Sequence, residues 1–161
     1  MVNRRANDAA AMANPALSGL ILSEFVRSYA ERGRGGPSLP ATFVVLPISM
    51  ARPGIRSFQG TNRKTGFLTW LSRNPQLAVT LPDTIARARH LTRQALCFGL
   101  AYQLFKLTTN SQLVPVKKLR ALKGNATEDE RISMVRTAQM LGLWMAEIPD
   151  ETIFYSLGIT V

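Results

Sequence analysis

The sequence predicts a compact, mainly α-helical domain with one small β-hairpin. Apolar residues recur at helical spacing after several Asn-Pro and Thr signals, and prolines and glycines interrupt the chain so often that the helices must be short. A single segment, LFKLTTNSQLVPV, has two β-compatible arms around a polar turn. A length of 161 residues suits one domain. We expect that domain over residues 14–161, after a flexible polar leader over residues 1–13.

The first elements are predicted from capping residues and proline. Asn14-Pro15 combines an N-cap with proline at the first helical position, which predicts a helix over residues 15–32 that ends at GRGG. Periodicity does not assign the apolar run ATFVVLPISM, because its β-branched residues favour a strand whereas Pro47 would kink or end a helix; we interpret it as a helix or a broken helix, which belongs to the core in either case.

Later helices are predicted to begin wherever a cap or a proline recurs. These expected starting points are Thr65 before GFLTWLSR, Asn74-Pro75, Pro82-Asp83 before DTIARARHL, and Thr92 before RQALCFGLAYQLFKL. The pattern indicates a compact bundle of short helices and not a long coiled coil.

After the hairpin, Thr127 and Glu130 form a T-x-x-E capping box that should begin a long amphipathic helix. Its predicted inner face comprises Ile132, Val135, Ala138, Leu141, Met145 and Ile148. A last short helix, ETIFYSL, is expected to end at Gly158.

The charge distribution points to an acidic partner. The chain has 20 Lys and Arg residues against 10 Asp and Glu residues, a net charge of +10, with the acids concentrated after residue 127. Such an excess favours nucleic acid, an anionic membrane or an acidic protein surface. Apolar residues make up 46% of the chain and charged residues 19%, which is typical of a surface that a partner partly covers. A single cysteine and the lack of a membrane-length apolar run predict a cytoplasmic protein.

No motif predicts catalysis, a metal site or a cofactor site. GTNRKTG at residues 60–66 resembles a phosphate loop in composition, but Lys64 precedes Gly66, whereas a P-loop lysine follows the second glycine. His90 is the one histidine, and Cys97 lies in an apolar segment where a core thiol is expected. The acids are too scattered to hold divalent ions. The expected class is therefore a non-enzymatic protein.

Two or three short helices, then a helix followed directly by a hairpin, are also compatible with a winged helix. In DNA-binding proteins of that type, the helix before the hairpin lies in the major groove. Here that helix is apolar on nearly all sides, which favours burial in the core or a protein contact. Its main polar groups are Arg93, Gln94, Gln103 and Lys106.

Two basic clusters are candidates for contact with phosphate or with an acidic partner, since lysine and arginine neutralise phosphate without reading sequence. The candidate residues are Arg63 and Lys64 in the loop, and Lys117, Lys118, Arg120 and Lys123 after the hairpin. Ordinary solvated side chains remain an alternative for both.

Several segments together resemble a known family. NPALSGLILSEFVRSY, LPATFVVLPI, TGFLTWLSRNPQL, TRQALCFGLAYQLF and ETIFYSLGITV occur in an order similar to that of the small middle components of three-component ABC ATPase systems, which include Lamassu-type antiphage loci. The loop GRGGPSLP and the stretch KKLRALKGNA are less typical of that family.

The resemblance implies a non-catalytic adaptor subunit. Its expected partners are a coiled-coil ABC ATPase similar to chromosome-maintenance and repair ATPases and an effector, often a nuclease. The complex would contact DNA without sequence specificity, and no membrane would be involved. The P-loop would then lie in the ATPase partner. The alternative is a free-standing winged-helix transcriptional regulator.

Overall fold

The computed structural model describes residues 14–116 and 129–160, and in these residues the chain is mainly helical with one antiparallel hairpin, so the predicted fold class is confirmed. The elements in chain order are α1 (Pro15–Ala30), a 3₁₀ helix (Pro40–Val44), α2 (Val45–Ser49), α3 (Arg52–Ser57), α4 (Phe67–Arg73), α5 (Pro75–Arg87), α6 (Arg89–Ala101), β1 (Phe105–Leu107), β2 (Leu113–Pro115), α7 (Glu130–Met145) and α8 (Asp150–Ser156). The predicted leader, residues 1–13, lies outside the described residues.

Helix α1 lies at the centre of the fold and packs against both α6 and α7. The predicted cap is confirmed, because Oδ1 of Asn14 accepts hydrogen bonds from the backbone N–H groups of Ala16, at 3.0 Å, and Leu17, at 3.4 Å. Phe25 and Val26 are fully buried, and more than half of the helix residues are buried. The helix ends one turn before Gly33, which has a φ of 72°.

Helix α7 is the second central helix, and its start differs from the prediction. Asp129 is the N-cap, with Oδ1 accepting from the Arg131 N–H at 3.0 Å, so the helix does not begin at a Thr127 capping box. Thr127 itself lies outside the described residues. Arg131 beside Asp129 lowers the pKa of that carboxyl, first through its side-chain hydrogen bond. The local carboxylate is a better cap than the predicted threonine because it is charged and next to the helix dipole.

The predicted inner face of α7 is largely confirmed but incomplete. Five of the six predicted residues are buried, whereas Ile148 lies beyond the end of the helix and is half-buried. Leu143 and Trp144 are buried as well, so the last two turns are covered around most of their circumference. The α7 helix is therefore a core helix where an amphipathic one was expected.

Three predicted helix starts are wrong. Pro82 lies inside α5, where its cost to the helix is offset by the packing of Leu77, Leu81 and Ile85 on the core. Thr92 lies inside α6, and its hydroxyl donates to the carbonyl of Ala88 at 3.3 Å. Thr65 does not cap α4, since Gly66, with a φ of 77°, stands between it and the first helical residue.

A helix does begin at Asn74-Pro75, but the Asn74 side chain bonds to the end of the preceding helix, α4. Its Nδ2 group donates to the carbonyl of Trp70 at 2.7 Å and so closes the last turn of α4. No side-chain bond from Asn74 caps α5. Proline at the first position of α5 is sufficient to mark the boundary.

The predicted hairpin and the predicted broken helix are both confirmed. The strands pair with Phe105 opposite Pro115 and Leu107 opposite Leu113. The apolar run over residues 40–49 forms the 3₁₀ helix followed by α2. The segment before it pairs with the hairpin at Ser38, and a Cβ on Gly36 would lie 1.6 Å from the Leu113 carbonyl oxygen, so only glycine fits there.

The end of α8 has the expected glycine. Gly158 has a φ of 68°, and its N–H donates to the Tyr155 carbonyl at 3.0 Å, while the Ile159 N–H donates to Phe154 at 2.9 Å. These two bonds form a Schellman motif, which satisfies the last helical carbonyls.

Candidate functional site

The basic loop, residues 60–66, is organised around Asn62. Its Oδ1 accepts from the N–H of Lys64 at 2.8 Å, and its own N–H donates to the Thr65 hydroxyl at 3.0 Å. Its carbonyl accepts from the Thr65 N–H at 3.1 Å. Gly60 and Gly66 bracket the turn with φ values of 72° and 77°, conformations that glycine adopts without strain.

An indole of α7 anchors this loop to the core. Nε1 of Trp144 donates to the Asn62 carbonyl at 3.1 Å, across a sequence separation of 82 residues. The Trp144 ring stacks on Phe58 with ring centroids 5.1 Å apart and an angle of 11° between the ring planes. The ring centroid of Trp70 lies 6.3 Å away, and its Nε1 donates to Ser57 at 2.9 Å. A buried aromatic cluster thus sets the position of the loop.

Arg63 and Lys64, the candidate contact residues of this loop, are both exposed to solvent. Neither side chain forms an ion pair with a described residue, so both charges are available to an external anion. The backbone N–H groups of Asn62, Lys64 and Thr65 are used within the turn. A P-loop, in contrast, directs its N–H groups at the phosphates. The basic loop can therefore attract an anion through the charges of the Arg63 and Lys64 side chains.

The second predicted basic cluster lies outside the described residues; it comprises Lys117, Lys118, Arg120 and Lys123.

The helix before the hairpin, α6, is not buried on nearly all sides as predicted. The buried residues of α6 are Thr92, Ala95, Leu96 and Gly99; the helix packs mainly against α1, and Gly99 lies against the Phe105 ring of β1. Other residues of α6 are exposed, among them Cys97 and Leu100.

Several predictions for single residues of α6 and the hairpin change accordingly. Cys97, expected as a core thiol, is exposed. His90 is exposed. The predicted polar groups Arg93, Gln94, Gln103 and Lys106 are all exposed. Leu100, Leu107 and Val116 are also exposed, at 38%, 46% and 48%, so this end of the molecule has apolar surface.

Sequence reasoning missed an open groove where four parts of the chain meet. Its walls come from the 3₁₀ helix, α5, α6 and the residues from α8 onward, and its cavity volume is about 410 Å³. Leu39, Phe43, Ile85, Phe154 and Ile159 form most of the apolar wall. Two further lining residues, Arg89 and Arg93, are one helical turn apart on α6, a spacing that could have drawn attention to them.

The acids do not assemble into a metal site in the described residues. Within residues 14–116 and 129–160, no group of three or more His, Cys, Asp or Glu residues is placed to hold a metal ion. Glu24 is buried and accepts from Gln139 at 2.6 Å and from Arg27, while Asp150 accepts from the Ser38 hydroxyl. None of the helices over the same ranges is long and apolar enough to cross a membrane.

Together these features describe a mainly helical protein with exposed basic and apolar side chains. Comparison with protein families identifies the family of the chain. The chain belongs to the family described as ABC-three component (ABC-3C) system Middle Component 3, which matches residues 2–161, so the resemblance to such middle components is confirmed. No curated protein and no solved structure matches the chain. As a middle component it is one part of a multi-component ABC system and has partner subunits.

Proposed function

We propose that this protein is a non-catalytic accessory subunit that connects an ABC ATPase to an effector in bacterial antiphage or anti-plasmid defence. The observation that carries the proposal is the family match over residues 2–161. The ATPase would be a coiled-coil protein of the chromosome-maintenance or repair type, the effector a nuclease, and the locus of the Lamassu type. The assembly would act in the cytoplasm.

The surface of the chain supports a subunit role. Leu100, Leu107 and Val116, near the hairpin, leave apolar side chains exposed that a partner subunit would cover. The net charge of +10 suits an acidic protein surface or DNA held by the complex.

The basic loop supports the absence of nucleotide chemistry in this subunit. Three of its N–H groups bond within the turn, and Lys64 precedes Gly66. Nucleotide hydrolysis is therefore assigned to the ATPase partner. Arg63 and Lys64 would add contacts to backbone phosphate or to an acidic partner.

The alternative, a free-standing winged-helix regulator, has less support. A reading helix presents polar side chains to base edges. The exposed face of α6 includes Arg93 and Gln94, but it also has Cys97 and Leu100, which cannot read bases in that way. A regulator would bind one operator sequence in preference to unrelated DNA, which a competition gel-shift assay with the purified protein measures.

Co-expression with the products of the adjacent genes tests the proposal. A tagged copy of this chain is expected to co-purify stoichiometrically with an ABC ATPase and an effector through gel filtration. A variant of the ATPase that cannot bind nucleotide is the control for assembly without turnover. The proposal fails if the chain elutes alone under every nucleotide condition.

A further inference from the structure

The groove between α5, α6, the 3₁₀ helix and α8 has the composition of an interface centre. Its floor includes Val44 and Phe154, which are 1% and 8% exposed, and its walls add Leu39, Phe43 and Ile85. Protein interfaces combine an apolar, desolvated centre with a polar rim, and apolar anchors in such pockets supply most of the binding energy.

The rim of the groove is positively charged. Arg89 and Arg93 lie one turn apart on α6 and are exposed, and their guanidinium groups form no ion pair or hydrogen bond with another described residue. Arginine forms bidentate bonds to carboxylates, and two guanidinium groups beside an apolar cavity are complementary to acids that flank apolar side chains.

The groove is open and not enclosed. Among its lining residues, Pro40, Ala86 and Thr160 are exposed along with the two arginines. Its volume of about 410 Å³ would suit a small molecule, but small-molecule sites bury most of the ligand surface. An open groove is better suited to side chains that project from a larger partner.

The charge of this chain argues against its own segments as occupants. Residues 1–13 contain Arg4 and Arg5 against Asp8, and residues 117–128 contain four Lys and Arg residues against Glu128. Both segments would bring like charge to Arg89 and Arg93. A second copy of the chain, at a net charge of +10, is disfavoured for the same reason.

We propose that this groove is the docking site for an acidic amphipathic segment of a partner subunit, with large apolar side chains in the cavity and Asp or Glu residues on Arg89 and Arg93. The inference rests on the proposed function, because it takes the occupant from another subunit of the same system. It identifies a surface that the family match does not assign.

The test uses substitutions at exposed positions of the groove in the co-expressed complex. Ala86→Trp fills the groove, and the double change Arg89→Glu and Arg93→Glu reverses the charge of its rim. The matched controls are Val79→Trp and Arg87→Glu. Both alter exposed residues of α5, the helix that contains Ala86, and both lie outside the groove lining. Circular dichroism of each complex or free chain confirms that the helical content is unchanged.

We expect both groove variants to weaken partner binding by at least about tenfold, because Ala86→Trp blocks the apolar centre and the double reversal turns attraction at the rim into repulsion, while the controls retain wild-type binding. A photo-crosslinking residue at position 86 should link to the partner subunit, and one at position 79 should not. Groove variants that bind the partner as wild type does would overturn the docking site. So would a link to a second copy of this chain, or a small amphiphile that co-purifies in the groove of the assembled complex. If the wild-type chain binds no partner at all, the proposed function fails instead.

Discussion

The crossing of α1 and α7 makes a strong prediction about Gly142. A Cβ at this position would lie 2.5 Å from the Phe25 carbonyl oxygen and 2.9 Å from the Tyr29 nitrogen, which are backbone atoms of the central helix. Contacts below 3.0 Å are essentially never observed, so Gly142→Ala requires the two helices to separate by at least about 0.5 Å. A gap of that size already forfeits about a quarter of each dispersion contact across the interface.

The expected loss is worked from two opposing effects. Overpacking against backbone costs roughly 1–3 kcal/mol, and the upper end applies because neither contacting atom belongs to a flexible side chain. Alanine favours the helical state over glycine by about 1 kcal/mol. The free energy of unfolding should therefore fall by about 2 kcal/mol, which lowers the Tm by roughly 6 °C in a chain of this size.

Gly19→Ala is the matched control, because Gly19 is also buried within a helix. Its Cβ would meet Cδ1 of the Phe98 ring at 2.7 Å, and this half-buried side chain can move where backbone cannot. We expect its stability to stay within about 0.5 kcal/mol of wild type.

Urea unfolding followed by the fluorescence of Trp70 and Trp144, both fully buried, measures the two variants. If the free chain aggregates, the soluble yield on co-expression ranks them in the same order. A Gly142→Ala protein that is as stable as wild type would refute the close crossing of α1 and α7.

Three further predictions concern function. The purified protein should show neither ATP hydrolysis nor nuclease activity with Mg²⁺ or Mn²⁺; turnover that survives repurification and disappears in Lys64→Ala would contradict this. Expressed alone, the chain should aggregate or self-associate, and co-expression with the ATPase should rescue it; a well-behaved monomer indifferent to the ATPase would argue against the adaptor role. Neutralising the second basic cluster should weaken DNA binding by the complex equally for unrelated sequences and make its salt dependence shallower by up to about 0.9 per lost phosphate contact, whereas lost assembly with unchanged DNA affinity would indicate a protein contact. That cluster comprises Lys117, Lys118, Arg120 and Lys123.

The sequence predicts a helix end correctly where that end depends on bonds between residues close together in the chain. Asn14 caps α1 through bonds to residues two and three positions away, and Gly158 ends α8 by a backbone conformation, so both could be read from the sequence. The same reasoning was wrong at Pro82 and Thr92. There, packing of the α5 and α6 helices on the core outweighs a residue that could also begin a helix.

Burial was harder to predict than helix position. The apolar segment of α6 was expected to be covered on nearly all sides, yet Cys97 and Leu100 are exposed. Periodicity cannot distinguish an apolar side chain that meets the core from one that meets another subunit, because both are removed from water in the working assembly. In the adaptor hypothesis, the exposed face of α6 is the part of this helix left for a partner.

The two surfaces that could bind partners depend on contacts between distant parts of the chain. The groove combines residues from Leu39 to Thr160, and the sequence gives no sign of it beyond the one-turn spacing of Arg89 and Arg93. The basic loop could be found from its composition, but its position depends on the bond from Trp144 to Asn62. Because Arg63 and Lys64 follow that anchored carbonyl directly, the side chains of the predicted contact site project from a turn held by the same helix, α7, that forms the core with α1. A partner bound at this loop would therefore meet two charges whose backbone is already positioned, which reduces the entropy lost on binding.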